Sequence, residues 1–483
     1  MAEQNFKNQV KNSTFWLFGA NFISRSVSFI STLILAKLLL PEDFGLVGYG
    51  FLVVSTIGLF KDMGFNSSLI YQKNRVEEAG SGALWLISLW SGVLYLIIFC
   101  SAPVVSIFFR EPRLISLLRI LSLSLIINSM SSIPITLLEK DINFKKSVIP
   151  EMIQLTLYGF VTVILAILGF KYWSFVIGTL ISDIIKLIIA FIFRPVKINF
   201  KPDFVLLKEM FAFGKDIMGL GIIYFGIRNI DDFFVGRMLG TVQLGIYQFS
   251  YRIANIPATN ITNTVGKVFF PAYTKISGDL ERLKDVFLKS TEYIITLTVP
   301  VTFFIILVIP DFINLFYQKW INAVLPIQLI AYYGGVRSIG ANFGSVFYAT
   351  GKPKNLIPVA LAQILLLSIF LYPAIHYWGL IGVCFLININ MSMSFIWSLV
   401  ILRPVIKLRY KELVNILIFP LLVSSISLLM SIFSIHLLYL YCCQNLYILF
   451  IIKIVSFIVF SILSILIFTD TISKMINDIR QPS

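Results

Sequence analysis

Four arginines stand where hydrocarbon is expected. Arg25, Arg228, Arg252 and Arg337 each fall inside a stretch otherwise long and apolar enough to cross a bilayer. A charge at that depth costs about 3 kcal/mol even on lenient insertion scales, so it normally faces water or protein and marks a substrate or ion path. Guanidinium groups bind phosphate or carboxylate through paired donors and repel cations. The chemistry they point to is anion recognition in a basic cavity within the membrane. Asp231 and Asp232 follow Arg228 by three and four residues and so share its helical face. Two readings carry equal weight there: a self-neutralised ion pair that lowers the insertion cost, or carboxylates whose charge state responds to occupancy by H+ or Na+. Arg252 sits in a polar run with Asn255, Thr259, Asn260, Thr262, Asn263 and Thr264, which suits a hydrated lumen. Asn21 lies one turn before Arg25, and Tyr332, Tyr333, Ser338 and Asn342 surround Arg337. Arg119 and Lys215 lie nearer helix ends, where snorkelling explains them as well.

The elements that hold these residues follow from composition. Hydrophobic residues make up 58% of the chain and charged residues 13%, and the mean hydropathy is +0.89. A water-soluble domain has no means of covering that much apolar surface. At roughly 20 residues per crossing, about fourteen spans fit. They are expected near 15–38, 43–64, 82–107, 114–138, 147–169, 172–193, 211–236, 242–270, 288–310, 325–350, 355–375, 379–402, 413–435 and 446–468. The fold class expected is an all-α polytopic membrane protein. The first span follows Lys7 and Lys11 with no small-residue cleavage site after it, which reads as a retained helix.

Basic residues concentrate in cytoplasmic loops. With the N-terminus inside, Lys61, Lys140, Lys145, Lys146, Arg194, Lys284 and Arg403 fall on the cytoplasmic side, whereas Lys37, Arg110, Arg113, Lys171, Arg237 and Lys319 fall outside. Over the whole chain the bias is roughly fourfold, which places both termini in the cytoplasm. The net charge of +15 then reports topology, and no nucleic-acid partner is implied. Cys100, Cys384, Cys442 and Cys443 lie in apolar segments and read as packed thiols. His376 and His436 have no second ligand at a metal-site spacing, so no metal site is expected. There is no P-loop, dinucleotide fingerprint or nucleophile elbow, and the reading is of a non-enzyme without a cofactor, with an H+ or Na+ gradient as the candidate driving force.

The chain repeats itself at an interval near 200 residues. Ala36-Lys37-Leu38-Leu39 … Phe44-Gly45-Leu46 recurs as Gly236-Arg237-Met238-Leu239 … Leu244-Gly245-Ile246. Lys146 to Pro150 resembles Lys354 to Pro358, and Lys171-Tyr172-Trp173 resembles His376-Tyr377-Trp378. Three matches in register imply parallel repeats, the pattern of alternating-access transporters. The expected organisation is an N-terminal six-helix lobe (1–193), a basic cytoplasmic linker (194–210), a C-terminal six-helix lobe (211–411), and two extra helices with a cytoplasmic tail (412–483). Tyr224, Tyr247, Tyr251, Tyr332, Tyr333 and Tyr348 offer rings and hydroxyls for sugars, and serve equally as packing in a chain that is 15% aromatic.

The run Leu39-Leu40-Pro41-Glu42-Asp43-Phe44-Gly45-Leu46 … Asp62-Met63-Gly64-Phe65 has a second-lobe echo. That echo is Leu239-Gly240 … Leu244-Gly245-Ile246-Tyr247 … Tyr251-Arg252-Ile253 … Pro257 … Phe270-Pro271-Ala272. Together they resemble the polysaccharide transporter branch of the multidrug/oligosaccharidyl-lipid/polysaccharide exporter superfamily. The likeness is to Wzx-type oligosaccharide flippases of the colanic and teichuronic acid exporter-like subset, and spans roughly residues 10–405. Lys37 departs from the arginine often found there. The resemblance implies a flippase in the bacterial inner membrane. It would carry an undecaprenyl-pyrophosphate-linked oligosaccharide between leaflets for lipopolysaccharide or exopolysaccharide assembly, alongside a polymerase and export machinery. Arg25, Arg228, Arg252 and Arg337 would receive the pyrophosphate and acidic sugars, and Asp231 and Asp232 would carry a coupling ion. Three alternatives are a drug/cation antiporter of the same superfamily, which an arginine-rich cavity disfavours, a membrane polymerase or glycosyltransferase, which normally brings a long periplasmic loop, and a non-transporting structural membrane protein, which leaves the arginines unexplained.

Overall fold

The computed structural model describes residues 24–141, 143–197, 202–255, 269–441 and 445–459. Every regular element among them is a helix. In chain order they are α1 (24–38), α2 (Pro41–Gly58), α3 (Phe65–Tyr71), α4 (Val76–Phe109), α5 (Leu114–Leu121), α6 (Leu123–Lys140), α7 (Phe144–Ile167), α8 (Trp173–Phe193), α9 (Phe204–Leu239), α10 (Thr241–Ala254), α11 (269–275), α12 (Leu280–Phe316), α13 (Val324–Ala349), α14 (Leu356–Ile406), α15 (Tyr410–Tyr441) and α16 (Leu446–Val459). The result is the all-helical polytopic architecture expected of the sequence.

Seven helical stretches among the described residues are long and apolar enough to cross a bilayer: α4, α5 with α6, α7, α8, α12, α14 and α15. Helix α14 is 51 residues long but breaks at Gly379, whose φ of 58° and ψ of −140° suit only glycine. Its two arms coincide with the adjacent spans expected at 355–375 and 379–402. The outward faces are apolar, with Ile107 78% and Ile192 70% exposed. Such side chains belong against lipid. The four arginines lie elsewhere. Arg25 is on α1, Arg228 on α9, Arg252 on α10 and Arg337 on α13, and none of these helices is among the seven.

The chain divides into two compact units, residues 1–245 and 246–483. The first has a core where α3, α4, α6 and α9 meet, built on Phe65, Leu69, Ala83, Leu84, Ile133 and Leu207. Short α3 is fixed at both ends. At its start, Gly64 adopts φ 79°, and a β-carbon there would come within 2.4 Å of Gly214 Cα on α9. At its end the Lys140 ammonium donates to the carbonyls of Leu69 and Ile70, both at 2.9 Å, an arrangement favoured by the helix dipole. The α4–α5 turn is tied down by Arg113, whose Nε and Nη2 reach Glu111 at 2.8 and 2.9 Å and which also engages Glu42 at the start of α2. Thr241 at the start of α10 donates to the same Glu111 at 3.1 Å.

Beside this network α2 and α10 cross with their backbones in contact. A β-carbon on Gly45 would lie 1.8 Å from the Thr241 carbonyl oxygen, and one on Gly245 would lie 1.8 Å from the Pro41 carbonyl oxygen. Only glycine permits this approach at either position. On the same face Tyr49 donates to the Gly236 carbonyl at 2.8 Å.

The second unit has its own core, where Tyr273, Phe287, Phe343, Phe347, Leu402 and Leu413 join α11 to α15. A buried polar knot pins three of these helices. Tyr273 donates to Asn342 Oδ1 at 2.9 Å, and Asn342 Nδ2 donates to Ser290 Oγ and Thr291 Oγ1, each at 2.9 Å. Helix α16 docks on α12 through Lys453 and Asp311, 2.5 Å apart, and through Phe450 against Phe312 and Phe316.

Candidate functional site

In the second unit, α13 approaches α10 and α12 through two glycines. A β-carbon on Gly334 would meet the Ala254 carbonyl oxygen at 2.9 Å, and one on Gly335 would meet Thr302 Oγ1 at 2.9 Å. This close packing brings Arg337, nearly one turn further along, against α10. Its Nη1 donates to Tyr251 Oη at 3.1 Å, and Tyr251 Oη lies 3.5 Å from Tyr333 Oη. The rings of Tyr251 and Tyr333 are 5.8 Å apart, and Tyr247 lies 6.3 Å from Tyr251. Arg337 is half-buried. One of its donors is satisfied by a phenol rather than by a carboxylate, so its positive charge is oriented and not neutralised by that bond. A fork of donors held this way suits a phosphate or carboxylate.

The sequence reading grouped Tyr333, Ser338 and Asn342 with Arg337. The structure separates them: Tyr333 shares the tyrosine cluster, whereas Asn342 is fully buried in the Tyr273 knot and Ser338 bonds back to the Gly334 carbonyl at 2.9 Å. Arg252 follows Tyr251 directly on α10 and is exposed. Of its expected polar neighbours, Asn255 is buried, while Thr259, Asn260, Thr262, Asn263 and Thr264 lie outside the described residues, as does Asn21.

In the first unit Arg25 is half-buried on α1 beside buried Ser24. Arg228 is exposed on α9, and Asp231, four-fifths of a turn on, is buried at 7% exposure. The Asp232 backbone N–H donates to Asp231 Oδ1 at 3.0 Å.

One group in the first unit escaped the sequence reading. Asp183, on apolar α8, is fully buried and accepts from Asn128 Nδ2 of α6 at 2.6 Å and Gln154 Nε2 of α7 at 2.5 Å. Lys186, one turn further on α8, donates to the Asn128 Oδ1 atom at 3.2 Å. A carboxylate and an ammonium three residues apart in a span were the available signal. Their bridging by one amide from another helix was not visible in the chain.

The helical arrangement is shared with two solved membrane transporter structures. It matches the solved structure of the lipid II flippase MurJ in an inward closed conformation, with a TM-score of 0.72 over 94% of this chain and 99% of that one at 19% identity. It also matches an inward-facing MATE-family multidrug transporter of the MOP superfamily, with a TM-score of 0.62 over 79% of this chain and 96% of that one at 17% identity. At such identities the likeness is one of fold. Residues 34–325 match the family described as polysaccharide biosynthesis protein, and the chain belongs to that family. Among curated relatives, the teichuronic acid biosynthesis protein TuaB of Bacillus subtilis is 25% identical over 75% of this chain and 76% of its own length. The succinoglycan biosynthesis transport protein ExoT of Rhizobium meliloti is 27% identical over 70% and 68%. The lipopolysaccharide biosynthesis protein WzxC of Escherichia coli K12 is 23% identical over 86% and 85%. The family read from the motifs and the family found by comparison agree.

Proposed function

We propose that this protein is a flippase that moves an undecaprenyl-pyrophosphate-linked oligosaccharide repeat unit from the cytoplasmic to the outer leaflet of a bacterial inner membrane by alternating access. The observation that carries this reading is Arg337, an arginine half-buried on α13 and oriented by the Tyr251 hydroxyl. Similarity to a teichuronic acid biosynthesis protein, a succinoglycan biosynthesis transport protein and a lipopolysaccharide biosynthesis protein supports it. Arg25, Arg228, Arg252 and Arg337 are the groups assigned to the pyrophosphate and acidic sugars. In this reading the protein carries out no covalent chemistry, keeps both termini in the cytoplasm, and hands its product to a polysaccharide polymerase and export machinery. Arginine at all four positions disfavours the cationic-drug alternative, because like charges repel.

The test is to replace each arginine with Ala and measure surface polysaccharide at matched protein levels. Loss of export in these variants is expected, and normal export in all four would overturn the assignment. Asp231 and Asp232 are proposed to carry the coupling H+ or Na+, on the ground that Asp231 is a buried carboxylate three residues after Arg228 on α9. An Asp231→Asn, Asp232→Asn double variant should lose its dependence on the ion gradient; unchanged dependence would remove them from that role.

A further inference from the structure

A cavity of about 430 Å³ lies within the first unit, bounded by α2, α6, α7, α8 and α9. That volume falls in the range of small-molecule sites. Its polar wall is supplied by Ser55, Asn128, Gln154, Thr179 and Asp183, with Lys61 at the end of α2. Phe51 and Phe225 contribute ring surface.

The hydrogen-bond bookkeeping of this wall decides what it can hold. The Thr179 hydroxyl hydrogen is committed to the Phe175 carbonyl at 2.8 Å, and that of Ser55 to carbonyls of its own helix, Leu52 at 3.2 Å among them. Asn128 spends its amide on the Ser124 carbonyl at 3.0 Å and on Asp183. What Thr179 and Ser55 still offer the cavity is the lone pairs of two hydroxyl oxygens, while fully buried Asp183 holds the Asn128 and Gln154 amides behind them. Apart from Lys61 and the second N–H of the Gln154 amide, then, the wall accepts rather than donates. It is the inverse of an arginine site, which only donates. An acceptor-rich wall repels pyrophosphate and suits a ligand that brings its own donors. A cation is disfavoured as well, because the Lys186 ammonium already occupies the far side of the Asn128 amide that bridges to Asp183.

We propose that this cavity binds the sugar portion of the transported substrate. The hydroxyls of a hexose-type ring donate to Thr179 and Ser55, its apolar face lies against Phe51 or Phe225, and Lys61 receives the carboxylate of an acidic sugar. Aromatic surface beside precisely placed polar groups is the usual composition of a site for an amphipathic ring. The proposal rests on the flippase reading and refines it.

The experiment uses the full chain in lipid nanodiscs and titration calorimetry with two probes. One is a soluble glucuronic-acid-containing disaccharide carrying neither lipid nor phosphate; the other is undecaprenyl pyrophosphate without sugar. Thr179→Val keeps the side-chain shape and removes the acceptor, so it tests the wall without dismantling the Asp183 network; Ser55→Ala tests the second hydroxyl. Each should weaken the disaccharide by about tenfold, the range expected for one or two lost hydrogen bonds, and leave undecaprenyl pyrophosphate binding unchanged. Disaccharide affinity unaltered in both variants, or absent in the unmodified protein, would overturn the sugar site. If undecaprenyl pyrophosphate still binds and Arg337→Ala weakens it, the flippase reading survives that failure. If neither probe binds, both readings fall.

Discussion

Gly45 and Gly245, equivalent positions of an internal repeat, face each other where α2 crosses α10, and each excludes a side chain for the same reason. The β-carbon of either would meet a backbone carbonyl oxygen at 1.8 Å, that of Thr241 for Gly45 and that of Pro41 for Gly245. Thr241 and Pro41 each precede the partner glycine by four residues, so the contact is symmetric about the crossing. Backbone cannot swing aside as a flexible side chain does. Gly45→Ala and Gly245→Ala should each destabilise the protein by about 1–3 kcal/mol, the usual cost of overpacking. Gly92→Ala on α4, where nothing lies within 4 Å of the added carbon, should leave thermal stability unchanged or slightly raised. Melting of the purified variants in detergent checks all three, and an unperturbed Gly45→Ala would contradict the crossing.

The Arg337–Tyr251 hydrogen bond predicts a graded effect on transport. Tyr251→Phe removes the acceptor that orients the guanidinium but leaves its charge, and should reduce surface polysaccharide by roughly 5- to 10-fold, in keeping with one lost charge-assisted hydrogen bond. Arg337→Lys should also fall below the unmodified protein, since an ammonium lacks the planar fork that grips a phosphate at two oxygens. Arg337→Ala should fall furthest. Equal export by Tyr251→Phe and the unmodified protein would show that the tyrosine does not position the arginine.

The Tyr273–Ser290–Thr291–Asn342 knot should be a stability determinant rather than part of the transport path. Asn342→Ala removes three hydrogen bonds from a buried site, and although Tyr273 and Ser290 keep each other and Ser290 keeps the Phe287 carbonyl, each buried group left short of a partner costs about 1–3 kcal/mol. A marked drop in melting temperature and in membrane yield is expected. Tyr273→Phe removes one hydroxyl that both donates and accepts, and should cost less. Residual Asn342→Ala protein should export normally per molecule, which a yield-corrected polysaccharide assay measures.

Glu111 lies in the turn between α4 and α5, where hydrogen bonds from Arg113 and then from the Thr241 hydroxyl hold its carboxyl below the usual carboxylate range against the opposing effect of burial. A depressed folded pKa means that the ionised form is favoured by the folded state. Its contribution is therefore present in full above the unfolded value of about 4.3 and is lost as pH falls through the lower folded value. Glu111→Gln should lower the melting temperature near neutral pH, and the gap from the unmodified protein should close as acid protonates Glu111. A gap that does not change with pH would show that charge is not what Glu111 contributes.

Much of the candidate site was legible before folding. An arginine in an apolar stretch is conspicuous because bilayer solvation penalises it wherever it lies, so Arg25, Arg228, Arg252 and Arg337 were identifiable from composition alone. Their environments were not. Arg228 and Arg252 are exposed while Arg25 and Arg337 are half-buried, a difference set by which helix packs against each face. Asp183 and Lys186 illustrate the converse. Their spacing of three residues on α8 invites a local ion pair, but Asn128 from α6 stands between them and Gln154 from α7 takes the other carboxylate oxygen. No pattern within one helix encodes a partner that arrives from another.

The amino-acid sequence by itself determined the membrane as solvent, the helical fold, the family and the polar minority of helices. These follow from apolar periodicity, charge bias and local motifs, each summed over neighbouring residues. Tertiary structure alone decided that Tyr251 receives Arg337, that Asn342 belongs to a buried knot, that the repeat's two glycines meet, and that an acceptor-lined cavity opens beside Asp183. Each of these depends on contacts between residues far apart in the chain. Their geometry is set by how closely helices approach and by the need of every buried polar group for a partner.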